Sequence, residues 1–128
     1  MTYYFSKVLD AGFDEAVARV TASLKQDGFG ILTEIDVKAT LKKKMDVDFR
    51  KYKILGACNP PFAHKALVAE DKIGLMLPCN VIVQETPDGK TEVAAIDPAA
   101  SMAAVQNPDL EAIGGEVREK LKRVIERL

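Results

Sequence analysis

Cys58, Cys79 and His64 are the only cysteines and the only histidine in the 128 residues, and all three fall within residues 52–83. Three of the six prolines lie in the same stretch. The run YKILGAC at 52–58 reads as a strand and ends at Asn59-Pro60-Pro61, where Asn59 suits a helix N-cap and Pro60 the first helical position. Cys58 then stands one residue before the helix, near the positive end of its dipole, where thiol pKa values fall and the reactive thiolate is favoured. His64 lies about one turn into the same helix, and Cys79 opens the next strand. If the two strands are antiparallel neighbours, both thiols share one rim of a sheet. Residues 71–78 can span up to ~28 Å, enough to bring the chain back for this. If the strands are parallel, the thiols lie at opposite ends and the site dissolves. The capped helix start at Asn59 is also a ready anion site.

The plainer reading of each thiol is core packing, and it ranks first, because cysteine is among the most buried residue types and often behaves as a small hydrophobe. Cys79 alternates with Val81 and Val83, and Cys58 with Ile54, as members of an apolar sheet face would. His64 reads first as a helix-surface or capping residue. No metal is expected: CxxC is absent, and Cys, Cys, His is one ligand short of a closed zinc site, with nothing pointing to Asp36 or Asp97 as the fourth. No cofactor is expected either, since GFG at 28–30 and GG at 114–115 have the wrong spacing for a phosphate loop. Ser6, Ser23 and Ser101 have no motif around them that would make a Ser-His-Asp arrangement with the single histidine. Met76, Met102 and the KIGLMLP run at 72–78 fit a small pocket or a dimer face, with ordinary core ranking ahead for most of them.

Eighteen basic against nineteen acidic side chains leave a net charge of −1, too little to hold a nucleic acid backbone. The basic cluster KATLKKKMD at 38–46 reads as a solvated helix face. MTYYFSKVLD at the start has no signal-type apolar core, and no run approaches the roughly 18 apolar residues of a membrane span. Neither nucleic acid nor membrane is therefore an expected partner. Two free thiols without a signal point to a reducing, cytoplasmic location.

These residues must be positioned by the elements around them. Strands are predicted at 2–8, 28–36, 51–58, 79–86 and 90–96 from their β-formers and alternation. Phe29, Ile31 and Ile35 are placed on one face of the second. The last two make a hairpin around Pro87-Asp88-Gly89, with glycine at the position that needs positive φ. Helices are predicted at about 13–27, stopped by Gly28; after Asp36, with Val37, Leu41 and Met45 facing the core; from Asn59 to about 70, burying Phe62, Ala66 and Leu67; as a short turn after Asp97-Pro98; and from Asn107-Pro108 to the end. KIGLMLP is expected to be extended, with Pro78 at an edge or bend. The last helix carries Leu110, Ile113, Val117, Leu121, Val124, Ile125 and Leu128 on one stripe, with Gly114-Gly115 as a local weak point. The order β-α-β-α-β-α-β-β-α over a single domain, 1–128, predicts an α+β layer sandwich: a mainly antiparallel sheet of about five strands packed with helices.

GFGILTEIDVKATLKKK at 28–44, ILGACNPPFAHKAL at 54–67, GLMLPCNVIVQE at 74–85 and IDPAASM at 96–102 together resemble the blocks of the domain-of-unknown-function 302 family, in the same order and spacing over nearly the whole chain. The resemblance implies a small bacterial or archaeal cytosolic protein, homodimeric, with no established activity. It also implies signature positions at Cys58-Asn59-Pro60 and Pro78-Cys79, which makes Cys58, Asn59, Pro60, His64, Pro78, Cys79 and Asp97 the candidate ligand-binding residues. Fold and signature do not by themselves assign a function.

Three functional classes follow. First is a homodimeric binding module that takes a small anionic or thiol-reactive ligand, or a partner, at the Asn59 helix start with both thiols lining it. Next is a structural dimer, joined by the stripe from Leu110 to Leu128 or by a sheet edge. Last is a thiol enzyme, or a redox or sulfur carrier, with Cys58 as nucleophile and His64 beside it. One histidine without a carboxylate cluster leaves little for proton transfer, which sets the enzyme last.

Overall fold

The computed structural model describes residues 2–128. Strand β1 (Tyr4–Leu9) leads into α1 (Phe13–Gln26), β2 (Gly30–Asp36), α2 (Val37–Met45), β3 (Tyr52–Cys58) and α3 (Pro60–Ala69). Then come β4 (Cys79–Glu85), β5 (Thr91–Ile96), α4 (Pro98–Met102) and α5 (Pro108–Glu126). The strands form one sheet in the order β1-β5-β4-β3-β2, every neighbouring pair antiparallel. This is the α+β sandwich that the alternation of elements predicts.

One face of the sheet carries the core. Leu9, Leu55, Ala57, Val81, Val83, Val93 and Ala95 point inward at every second position and are buried. Against them pack Phe13, Ala16, Val20 and Leu24 of α1 and Val117, Leu121, Val124 and Ile125 of α5, both stripes at helical spacing. The α5 stripe is thus consumed inside the chain, which removes it as a dimer interface. A second, smaller cluster joins Ala66, Ile73, Met102 and Leu110 beneath α3 and α4.

Helix ends follow the local signals. Gly28, at φ +85°, ends α1 in a paired-bond cap: Phe29 N–H donates to Leu24 O (3.0 Å) and Gly28 N–H to Lys25 O (3.1 Å). Asp36, Asp97 and Asn107 each accept a backbone N–H at the start of α2, α4 and α5. The β4–β5 turn places Gly89 at φ +83°.

Four expectations are corrected. A bulge between Ile31 and Thr33 shifts the β2–β3 register, so Ile31 pairs with Ala57 on the core side while Ile35 pairs with Ile54 on the other and is 47% exposed. Helix α2 starts after Asp36 as expected, but it buries no residue and Met45 is 66% exposed, so its apolar stripe meets no core. Leu67 of α3 is 45% exposed, leaving Ala66 as the buried residue of that helix. KIGLMLP is not extended: Ile73–Met76 form a single tight helical turn that buries Ile73.

The paired glycines of α5 differ. A Cβ on Gly114 would meet Met102 Sδ at 3.5 Å, so that position lets α4 approach, whereas a Cβ on Gly115 would meet nothing within 4 Å. Gly115→Ala is therefore expected to raise stability by about 1 kcal/mol and the melting midpoint by roughly 4 °C, read by thermal denaturation.

Candidate ligand-binding site

The antiparallel register decides the placement of the thiols. Ala57 of β3 faces Cys79 of β4, so Cys58 sits diagonally beside Cys79 at one rim of the sheet. Both are free, Cys79 buried and Cys58 half-buried. Both line one cavity of about 330 Å³. Its floor is the sheet end and its walls are Phe29, Phe62, Ala66 and Leu77, with Met102 and Val117 behind. Leu32, the residue at the β2 bulge, is 67% exposed and lines the same cavity.

The rim is held from behind by close packing. Gly56 has no room for a side chain: a Cβ there would lie 2.1 Å from Thr33 Oγ1 and 2.7 Å from Pro78 Cγ. Pro78, joined to Leu77 by a cis peptide bond, lines the cavity next to Cys79.

Asn59 occupies the N-cap position of α3 but does not cap with its side chain. Its Nδ2 instead donates to Asp27 O (3.0 Å) at the end of α1, and the side chain packs against Gly28. Pro60 and Pro61 follow, so the first two helical residues supply no N–H, and Ala63 N–H is already bonded to Asn59 O (2.9 Å). An anion would find few donors there. No lysine, arginine or histidine lines the cavity, so its chemistry is apolar apart from the two thiols and the Asn59 amide.

Of the residues singled out in the sequence, Cys58, Asn59, Pro78 and Cys79 come together at the cavity. Pro60 and His64 are exposed and do not line it. Asp97 caps α4 and pairs with Arg118 (3.1 Å), away from the cavity lining. Leu77, in the KIGLMLP run read as fitting a small pocket or a dimer face, and Met102, read the same way, also line the cavity, whereas Phe29 and Phe62 are expected only as strand-face and core residues and Leu32 has no assigned role. Among the described residues, no group of three His, Cys, Asp or Glu side chains could hold a metal ion. Among the described residues, no helix is long and apolar enough to cross a membrane.

Burial pushes the Cys79 thiol up from 9.0 to about 11, with the neighbouring Cys58 adding to it. Two pH units amount to ~100-fold less thiolate at neutral pH than an unperturbed thiol. In a Cys58→Ser variant, where burial alone raises the remaining thiol, it is expected to react with a disulfide reagent up to ~100-fold more slowly folded than unfolded. The folded value lies above the unfolded one, so the stability it contributes is full below pH 9.0 and is lost as pH climbs through about 11.

The DUF302 family model, described as a domain of unknown function, matches residues 5–128. The chain belongs to this family. The crystal structure of an uncharacterized conserved DUF302 protein from Bacillus stearothermophilus superposes on it with a TM-score of 0.92 and 28% sequence identity, over 99% of this chain and 98% of that one. No curated protein matches the chain.

Proposed function

We propose that this DUF302 chain is a binding module for a small, uncharged, largely apolar molecule held in the cavity at the thiol rim. The observation that carries the reading is the cavity itself: about 330 Å³, open to solvent, walled by apolar side chains, with two thiols and one amide as its polar groups. That volume sits at the small end of the ~300–1,000 Å³ range of ligand pockets, and a few polar groups in an apolar lining is their usual composition. The tandem prolines and the missing cations weigh against an anionic ligand. A thiol-reactive one remains compatible, because Cys58 is the more accessible of the two thiols and opens on the same cavity.

N-phenyl-1-naphthylamine, an uncharged fluorophore, tests this. Saturable single-site fluorescence enhancement is expected for the wild type. Ala63→Phe, which fills the cavity from α3, is expected to abolish it with the fold intact by circular dichroism. Enhancement that never saturates, or that survives Ala63→Phe, would sink the reading.

Cys58 also favours a second reading, a thiol carrier in which its sulfur makes the covalent bond. His64 does not line the cavity and so supplies no base to it. Fast modification of the native protein that persists unchanged in Cys58→Ser would exclude this alternative.

A further inference from the structure

We infer that Cys58 and Cys79 are a reversible oxidation site, closing to a disulfide when a hydroperoxide reaches the rim and thereby shutting the cavity to its ligand. The bond rests on the β3–β4 register, and its consequence rests on the binding reading above.

Ala57 stands opposite Cys79, so Cys58 is one residue further along β3 than the position that faces Cys79. Directly opposed residues of an antiparallel pair have Cα atoms ~4.5–5.5 Å apart, and one step along a strand adds ~3.4 Å at right angles. Cys58 and Cys79 thus stand roughly 6 Å apart at Cα, within the ~4.4–6.8 Å that a disulfide spans. Strict alternation would turn residues offset by one to opposite faces of the sheet. Here both positions are strand ends, Cys58 the last residue of β3 and Cys79 the first of β4, and both line the one cavity. The Cys58 thiol is also near enough to push up that of Cys79 by its charge.

The two thiols are unlike, and the difference sets their order of reaction. Cys58 is half-buried, where a peroxide can meet it, whereas Cys79 is buried and its thiol is pushed up to about 11. The Cys58 sulfur attacks the O–O bond, keeps one oxygen as a sulfenic acid and releases the other as an alcohol, or as water from hydrogen peroxide. The Cys79 sulfur then attacks that of Cys58; the S–S bond forms, and the hydroxyl leaves with the Cys79 proton as water. The thiols lose two electrons and the peroxide gains them. In a reducing compartment such a disulfide is transient and lasts only while the oxidant does.

Closing the pair changes the cavity in two ways. It bridges the floor between β3 and β4 and fixes Cys58, the residue from which α3 starts; Asn59, Phe62 and Ala63, at that start, line the wall. It also removes both S–H groups, leaving the Asn59 amide as the one polar group of the lining.

Hydrogen peroxide added to the reduced protein, followed by alkylation and non-reducing mass spectrometry, tests the bond without any cavity ligand. The expected product is a single chain lighter by two hydrogens, with no alkylated cysteine and with a peptide that joins Cys58 to Cys79. Dithiothreitol is expected to restore two alkylatable thiols. Cys79→Ser is expected to stop at the Cys58 sulfenic acid, trapped by dimedone. Two free thiols after peroxide, over-oxidation of Cys58 beside an unmodified Cys79, or a disulfide between chains would each overturn the site. N-phenyl-1-naphthylamine reads the consequence: its affinity is expected to fall ~10-fold or more on oxidation and to recover with dithiothreitol. Equal affinity in the two forms would overturn the shutting of the cavity. A reduced protein that never binds the fluorophore would instead count against the binding reading, while the joined peptide would still stand or fall by its mass.

Discussion

Gly56→Ala is expected to cost about 3 kcal/mol of stability, at the upper end of what overpacking a sheet costs. The added Cβ would lie 2.1 Å from Thr33 Oγ1, 2.7 Å from Pro78 Cγ and 3.4 Å from Thr33 Cβ. Thr33 is exposed and can turn its hydroxyl away, so the first contact is relievable. The Pro78 ring has no such freedom, being closed on its own backbone at the entry to β4. Gly56 pairs with Thr33 on one side and Asn80 on the other, so β3 cannot move aside without loosening two ladders. Adding Thr33→Ala should recover part of the loss, with the remainder belonging to Pro78; urea denaturation of the two single variants and the double variant separates the shares. Because Pro78 also lines the cavity, fluorophore binding should weaken along with stability. A Gly56→Ala protein within about 0.5 kcal/mol of wild type would mean that the rim is soft and that the cavity has no fixed shape.

Much of this arrangement was readable in the residues, for identifiable reasons. Strong local signals with one meaning translated directly: Gly28 after an apolar helix, Asn107-Pro108 before another, Pro87-Asp88-Gly89 between two alternating runs. The failures came where tertiary geometry overrides a periodic pattern. The period-2 rule put Ile35 with Ile31, and the bulge inserted one residue between them and turned Ile35 to the other face. The period-3.6 rule put Val37, Leu41 and Met45 against a core, but among the described residues Val37 and Leu41 are only half-buried and Met45 is exposed. Apolarity alone cannot tell an extended run from a tight turn, which is why KIGLMLP was misread.

The site was half legible. Cysteine, asparagine and proline are rare enough in this chain to draw notice at 58–60 and 78–79, and the β3–β4 register brings those two segments to one rim. His64 drew notice by rarity too, but a helix position sets which way a side chain faces, and this one faces solvent. The cavity walls are legible only in part: Leu77 and Met102 fall among the residues that fit a small pocket, but Phe29 and Phe62 look like any other apolar residue until topology gathers them. The same topology lowers the standing of the anion site. Pro60, read as a helix-start signal, also removes a donor from the place where an anion would bind, and Pro61 removes a second.

Asp27→Asn is expected to cost about 2–3 kcal/mol at neutral pH, through the junction that holds the back of this site together. The carboxylate, 10% exposed, receives Arg127 Nη2 at 2.8 Å and Arg123 Nη2 at 3.2 Å, both from α5. Arg127 Nη2 also donates to Ser23 O (2.7 Å), and Ser23 Oγ donates to Val124 O (2.8 Å), so the ends of α1 and α5 are tied in several places. The backbone of Asp27 meanwhile accepts the Asn59 amide that forms one wall of the cavity. Losing one partner of a fully buried pair costs about 3–5 kcal/mol; the two arginines, 52% and 33% exposed, can rehydrate, which sets the lower figure. Burial alone would raise the Asp27 pKa, but the hydrogen bonds and charges of Arg127 and Arg123 outweigh it and hold the carboxyl below 3.8. The stability it contributes is then present above that value and is lost as pH falls through the lower, folded one. Denaturant titrations of wild type and Asp27→Asn should therefore differ most at neutral pH and converge as pH drops below about 4. A gap that stays constant between neutral and acid pH would show that the ionisation of Asp27 is irrelevant to the junction.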